Sequence, residues 1–346
     1  MIIVTGAAGL VGSSCVRLLC SRGIPVVGID NGERGRLFGM VANTLPVLGI
    51  LEKEFPRLFV ACRLDINWPE TAAVFQNREI DGVIHAAAQP SHDYAAGDPV
   101  GDFTINASGT LRILELVRKY CPEAVFIQVS TNKVYGDAVN RLDYVERSTR
   151  FEPVDGTYKS YGIPETFSID QSMHSLFGVS KLYGDLVAQE YGRYFGLRTS
   201  VFRCGCITGA AHAGVEAHGF LSYLVKCIVQ GRPYTIYGYE GRQVRDQIHA
   251  DDLASAFLAV LMSPPAFGTV FNMGGGTICN CSVLEALHMC GRISGNAPVV
   301  RGGPERLGDH KWWVSDTSKF CNAYPDWKPK WDLVSILEEI VEKAKG

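Results

Sequence analysis

Short apolar runs alternate with longer amphipathic stretches along most of the chain. IIV (2–4), PVVGID (25–30), DGVIHAAA (81–88), AVFIQVST (124–131) and LRTSVFRCG (197–205) predict strands. VGSSCVRLLCSRG (11–23), ASGTLRILELVRKYC (107–121), 175–195 and DLASAFLAVLMS (252–263) carry apolar residues at helical spacing and predict helices. Strand–helix alternation of this kind predicts an α/β fold, a doubly wound parallel sheet with helices on both faces. Residues 138–173 are polar, proline-containing and aperiodic, which predicts a long ordered loop of the kind that often carries function. The pattern predicts one domain from 1–207 with about 246–275 and a smaller, interleaved C-terminal lobe from 208–245 and 276–346.

The first strand runs straight into GAAGLVG, which places Gly6, Gly9 and Gly12 around Leu10 and Val11 at the head of a helix. Glycines there permit a tight turn and let backbone approach a pyrophosphate, while the helix N-terminus offers free N–H groups and partial positive charge. Asp30 ends the second strand, 18 residues after Gly12, with Asn31 next to it. A carboxylate at that place hydrogen-bonds adenine-ribose hydroxyls and repels a 2′-phosphate, which favours NAD over NADP. Arg34 and Arg36 follow closely and weigh the other way.

Composition narrows the classes. With 346 residues, 47% hydrophobic and 20% charged, the chain is ordinary globular protein. A net charge of −3 argues against nucleic acid or an anionic membrane as partner. No apolar run approaches the roughly 20 residues of a membrane span, and MIIVTGAAG lacks the basic start of a signal peptide. The 11 cysteines form no CxxC pair. They predict reduced, buried thiols in a cytoplasmic protein, with no metal site.

The spacing GxxGxxG resembles that of the extended short-chain dehydrogenase/reductase family. Further stretches resemble it too: Asp65-Ile66, HAAA (85–88), Asn106, STNKVYG (130–136) and RQVRDQIHADDLA (242–254). Within that family the chain is most similar to the CDP-tyvelose (CDP-paratose) 2-epimerase branch, through STNKVYGD and HSLFGVSK. The resemblance implies bound NAD. Asp65 and Ile66 would contact adenine, and Ala86, Ala87 and Ala88 would lie under the nicotinamide ribose. Asn106 is the family's helix asparagine, Thr131 its catalytic hydroxyl, and Lys181 its ribose-binding lysine. It also implies a homodimer through the helices of 107–120 and 175–195, where Leu182, Leu186 and Val187 form an apolar face.

One position departs from the family. Its members keep a tyrosine four residues before the lysine, and here Phe177 stands there. A tyrosine works as base because a lysine ammonium and a cationic nicotinamide lower its pKa; a phenyl ring has no proton to exchange. Three readings follow: an introduced Tyr→Phe change, a natural site in which another group moves the proton, or a protein that binds without turnover. His174 is the leading substitute, followed by Glu165, Asp170 and Tyr135, while Tyr183 lies most of the way round the helix.

Arg245 and Arg306 are candidates for pairing with a nucleotide diphosphate, because a guanidinium matches phosphate geometry. A surface ion pair with Asp246 or Asp309 is the plainer alternative for both. His92 or Asp93, Asn132 and Lys133 are sugar-site candidates, His218 and Lys226 lie in the variable lobe, and Trp312-Trp313 is either a nucleotide cover or core. The expected activity is epimerisation of a nucleotide-linked sugar, a CDP-deoxyhexose foremost, by transient oxidation of a hydroxyl and return of the hydride. The rivals are a nucleotide-sugar dehydratase, which the Asn132-Lys133 pair after Thr131 disfavours because dehydratases usually hold Asp-Glu there, and a non-catalytic NAD(H)-binding protein.

Overall fold

A computed structural model describes residues 1–216, 218–305 and 308–346. Seven strands form the main sheet in the order Thr269–Met273, Arg198–Cys204, Val125–Thr131, Gly82–His85, Ile2–Thr5, Val26–Ile29 and Phe59–Cys62. From Val125–Thr131 to Phe59–Cys62 the neighbours are parallel. The first strand lies between the second and the fourth, so the winding reverses beside Ile2–Thr5. This is the predicted doubly wound α/β sheet, and the reversal is where such folds bind ligands, outside the carboxyl ends of the strands.

The chain separates into two compact units. One comprises Met1–Val134, Leu176–Arg203 and Ala250–Phe271; the other comprises Tyr135–Ser175, Cys204–His249 and Asn272–Gly346. This division places residues 204–207, 246–249, 272–275 and the segment 135–175 with the second unit. That segment is also more than a loop. It contains a short antiparallel hairpin, Tyr144–Glu146 with Phe151–Pro153, and a helix, Gly156–Tyr161.

The first unit has a core in which Ile3, Val27, Val83 and Phe126 of the sheet meet Ile113, Leu114 and Val117 of the helix Gly109–Tyr120. On the other face, the helix Leu10–Ser21 packs against Ala250–Met262. The second unit has its own core, where Leu224 and Ile228 of one helix meet Ala286 and Cys290 of a second and Ile336, Leu337 and Ile340 of a third. Burial of each such aliphatic side chain stabilises by about 1.5–3 kcal/mol.

Candidate functional site

The glycine turn is built as the sequence requires. Gly6 has φ +67° and its N–H donates to the Ile29 carbonyl at 2.8 Å. A Cβ on Gly6 would come within 2.8 Å of the Ala87 nitrogen, and one on Gly12 within 2.1 Å of the Gly6 oxygen. The helix then starts at Leu10 with no side chain capping its first N–H groups. Bare backbone at a helix start is what a pyrophosphate needs, so the residues present fit NAD.

Asp30 accepts hydrogen bonds from the Ala8 and Gly32 N–H groups, at 2.9 and 2.8 Å. Burial pushes its carboxyl pKa up, and those two N–H groups pull against it. Each carboxylate oxygen has a further lone pair for a ribose hydroxyl. Asn31 donates to Asp65 at 2.7 Å, which ties the two acid-bearing strand ends together. The side chain of Ile66 is buried in the core.

Strand register brings the next elements to the same edge. Thr5 pairs with His85, and His85 with Gln128, three residues before Thr131. Ala86 and Ala87 are half-buried and Ala88 is exposed. Their N–H groups turn back onto Thr5, that of Ala86 to its carbonyl and that of Ala87 to its hydroxyl, both at 3.2 Å. Thr131 ends its strand half-buried, and its hydroxyl oxygen accepts from the Lys133 N–H at 3.3 Å. Asn132 is buried beside it, its side-chain oxygen 3.3 Å from the Thr131 hydroxyl.

Phe177 and Lys181 lie one turn apart on the helix Ser175–Phe195, and both are buried. The Lys181 ammonium donates to the Val129 carbonyl at 2.8 Å, two residues before Thr131. The Phe177 ring meets the imidazole of His92 edge-on, with centroids 4.9 Å apart and planes at 64°. Asn106 sits in a π-helical turn, Thr104–Ser108, a distortion common at functional sites. Its amide donates to Gln89, Asp102 and Ser180 and accepts from the Gln89 N–H.

Three features of this unit escape sequence reasoning. His85 is fully buried between the hydroxyls of Thr5 at 2.7 Å and Thr110 at 3.1 Å. Burial, with a contribution from Lys181, holds its pKa down to about 3, so it is neutral. Asp102 is buried among Gln89, Asn106 and Ser180. Asp185, four residues after Lys181, is buried and bidentately paired with Arg203 at 2.9 Å, with Ser130 and Gln189 adding bonds at 2.7 Å. An acid one helical turn beyond the lysine was the available signal for that pair; for His85 and Asp102 only the fold supplies one.

In the second unit, Arg245 lies on the strand Val244–His249, buried and ion-paired with Asp309. The neighbouring Asp246 is fully buried, accepts from the Ser315 and Gly276 N–H groups, and is pushed up to about 6 by burial. Trp312 and Trp313 are core residues; Trp313 stacks on Tyr135 with centroids 5.2 Å apart. The Tyr135 hydroxyl donates to Asn272 at 2.8 Å, and Glu165 accepts from the Asn272 N–H at 2.7 Å. Asp170 is exposed. His174 is half-buried and hydrogen-bonded to Ser172 at 3.3 Å, its Nδ1 buried with no partner. His218 faces His212 at 3.4 Å, Lys226 is half-buried, and Arg306 lies outside the described residues.

A strand edge carrying a hydroxyl, an anchored ammonium and a glycine turn can hold a dinucleotide against an alcohol. The model of the NAD dependent epimerase/dehydratase family matches residues 2–274. The chain belongs to that family. Along its length it is similar to CDP-paratose 2-epimerase of Salmonella typhi, 31% identical over 335 residues that cover 95% of this chain and 94% of that protein. It is also similar to a dTDP-glucose 4,6-dehydratase of Xanthomonas campestris pv. campestris, at 25% identity over 98% of this chain and 92% of that one. Among solved structures, a tyrosine-to-phenylalanine mutant of Bacillus cereus UDP-glucuronic acid 4-epimerase, in complex with UDP-4-deoxy-4-fluoro-glucuronic acid and NAD, superposes with a TM-score of 0.78. It is 27% identical, and the match covers 99% of this chain and 98% of that one. The family's cofactor, NAD, agrees with the bare helix start and with Asp30. No described helix is long and apolar enough to cross a membrane, and no three described His, Cys, Asp or Glu side chains gather to hold a metal ion.

Proposed function

We propose that this protein is an NAD-dependent nucleotide-sugar epimerase whose substrate is a CDP-linked deoxyhexose, interconverted at C2. The observation that carries the reading is the full-length likeness to a CDP-paratose 2-epimerase. The pair Asn132-Lys133 after Thr131, where dehydratases usually hold Asp-Glu, supports epimerisation over dehydration.

In this reading, backbone of Gly6, Gly9, Leu10, Val11 and Gly12 cradles the pyrophosphate. Asp30 and Asn31 take the adenosine ribose, Asp65 and Ile66 the adenine, and Ala86, Ala87 and Ala88 border the nicotinamide ribose, which Lys181 binds. Asn106 fixes the helix turn next to them. Bound NAD supplies reversible hydride acceptance. Thr131 donates a hydrogen bond to the reacting sugar oxygen, Asn132, Lys133 and His92 line the sugar, and Arg245 and Arg306 pair with the diphosphate. Arg245 would exchange its Asp309 partner for phosphate. Among the candidates for the work of the missing phenol, Tyr135 and Glu165 are engaged with Asn272, Asp170 is exposed, and His174 is bonded to Ser172 through one ring nitrogen. The protein works as a cytoplasmic homodimer.

The test is incubation with CDP-paratose, CDP-tyvelose and UDP- and dTDP-hexoses, followed by NMR of the sugar. Conversion of one CDP-sugar to its 2-epimer is expected. Formation of a 4-keto-6-deoxy sugar would establish the dehydratase instead. Tight binding with no conversion would favour the binding-protein reading, for which Phe177 is the supporting observation.

A further inference from the structure

Resting on the epimerase reading, we infer that His92 is the catalytic acid–base that replaces the missing phenol. Phe177 stands at the place of the family's tyrosine. In a tyrosine enzyme the exchangeable proton sits at the tip of this ring. Here the imidazole of His92 packs edge-on against it, with centroids 4.9 Å apart. Imidazole is also the side chain whose ordinary titration range suits proton exchange near neutral pH.

His85, Asp102 and Lys181, the neighbouring titratable groups of this unit, have structural work of their own. Both nitrogens of His85 are bonded to threonine hydroxyls, and burial keeps it neutral far below physiological pH. Asp102 is sealed among Gln89, Asn106 and Ser180. The Lys181 ammonium is anchored on the Val129 carbonyl. His92 is half-buried. Its place is fixed by the fold: it opens the short helix His92–Gly97, held by the Ser91 cap, seven residues past the strand Gly82–His85, which itself pairs with the strand that ends in Thr131.

The step balances. Bound NAD⁺ would supply the hydride acceptor; the hydroxyl proton would then pass to the His92 imidazole as the C=O bond forms, and on return of the hydride to the other face of the ketone the imidazolium would give the proton back to the oxygen. No other oxidant is consumed.

The experiment uses the NAD-loaded protein and CDP-paratose. The His92→Asn variant keeps a polar side chain of similar reach and loses the base. Its kcat is expected to fall at least about 100-fold, while CDP-paratose affinity by calorimetry and the melting temperature stay within about threefold and a few degrees of the parent protein. Adding Phe177→Tyr to His92→Asn is expected to recover at least about tenfold of the loss. A His92→Asn variant that turns over at the parent rate overturns the inference and leaves the epimerase reading standing. So does a loss of turnover matched by an equal loss of CDP-paratose binding. So does a result in which His174→Asn alone abolishes turnover. A parent protein that converts no nucleotide sugar sinks both.

Discussion

At the scale of single residues, the glycine turn makes the sharpest forecast. A methyl group on Gly12 would lie 2.1 Å from the Gly6 oxygen, a contact with backbone that cannot yield. Gly12→Ala should therefore yield protein that loses its nucleotide on purification, seen as absorbance at 260 nm and by chromatography of released NAD, and that melts lower. Lys181→Met should leave the helix intact while removing the ammonium from Val129; NAD affinity and turnover should both fall, by at least about tenfold. The turn and Asp30 were legible in sequence because their chemistry is local, spelled within one strand–turn–helix. The meeting of His92 with Phe177 was not, because 85 positions separate the two residues and only the strand order brings them together.

Among elements, the helix Ser175–Phe195 matters most, since it carries both 177 and 181. The buried pair of Asp185 and Arg203 fixes it against the strands Val125–Thr131 and Arg198–Cys204. Asp185→Asn would leave a guanidinium buried without its counter-charge, so a loss of about 3–5 kcal/mol is expected, measurable by urea unfolding, with weaker loss for Arg203→Lys. The same helix shows solvent Leu176, Val179 and Leu186 at helical spacing, whereas Val187 packs on the core. If the proposed homodimer uses that stripe, Leu186→Lys should halve the mass seen by light scattering. Long periodic helices like this one were legible. The strand Phe59–Cys62 was missed because it is a four-residue edge with Val60 facing solvent, so no alternation marks it. The hairpin at 144–153 was missed for the same reason, each arm being three residues long.

For the whole molecule, buried titratable groups make stability depend on pH. His85 accepts a proton at about 3 when folded and at 6.5 in the reference state. Between those values the unfolded chain binds more protons, so this residue makes stability rise with pH across the window, by at most about 1.4 kcal/mol per unit. Asp246 acts in the opposite sense. Its folded pKa of about 6 lies above the reference 3.8, so its contribution falls as pH rises between them. The stability difference between the parent and His85→Asn should therefore grow from pH 4 to pH 6.5 in denaturant titrations; a flat difference would show that His85 titrates alike in the folded and unfolded chain. Neither group was legible in sequence, because burial of a polar side chain is a property of the packed molecule.

Each compact unit draws on three separate stretches of chain, and the central sheet begins at Ile2 and ends at Met273. Ribosomes add roughly 5–20 residues per second, so the first strand leaves the peptidyl-transferase centre on the order of 15–55 s before the last is made. Through that interval the growing polypeptide carries an unfinished sheet, which gains Arg198–Cys204 and the helix Ala250–Met262 late and lacks Thr269–Met273 to the end. A nascent chain of this design has no early resting state, and its dependence on holding chaperones during synthesis should end abruptly once residue 273 clears the exit tunnel.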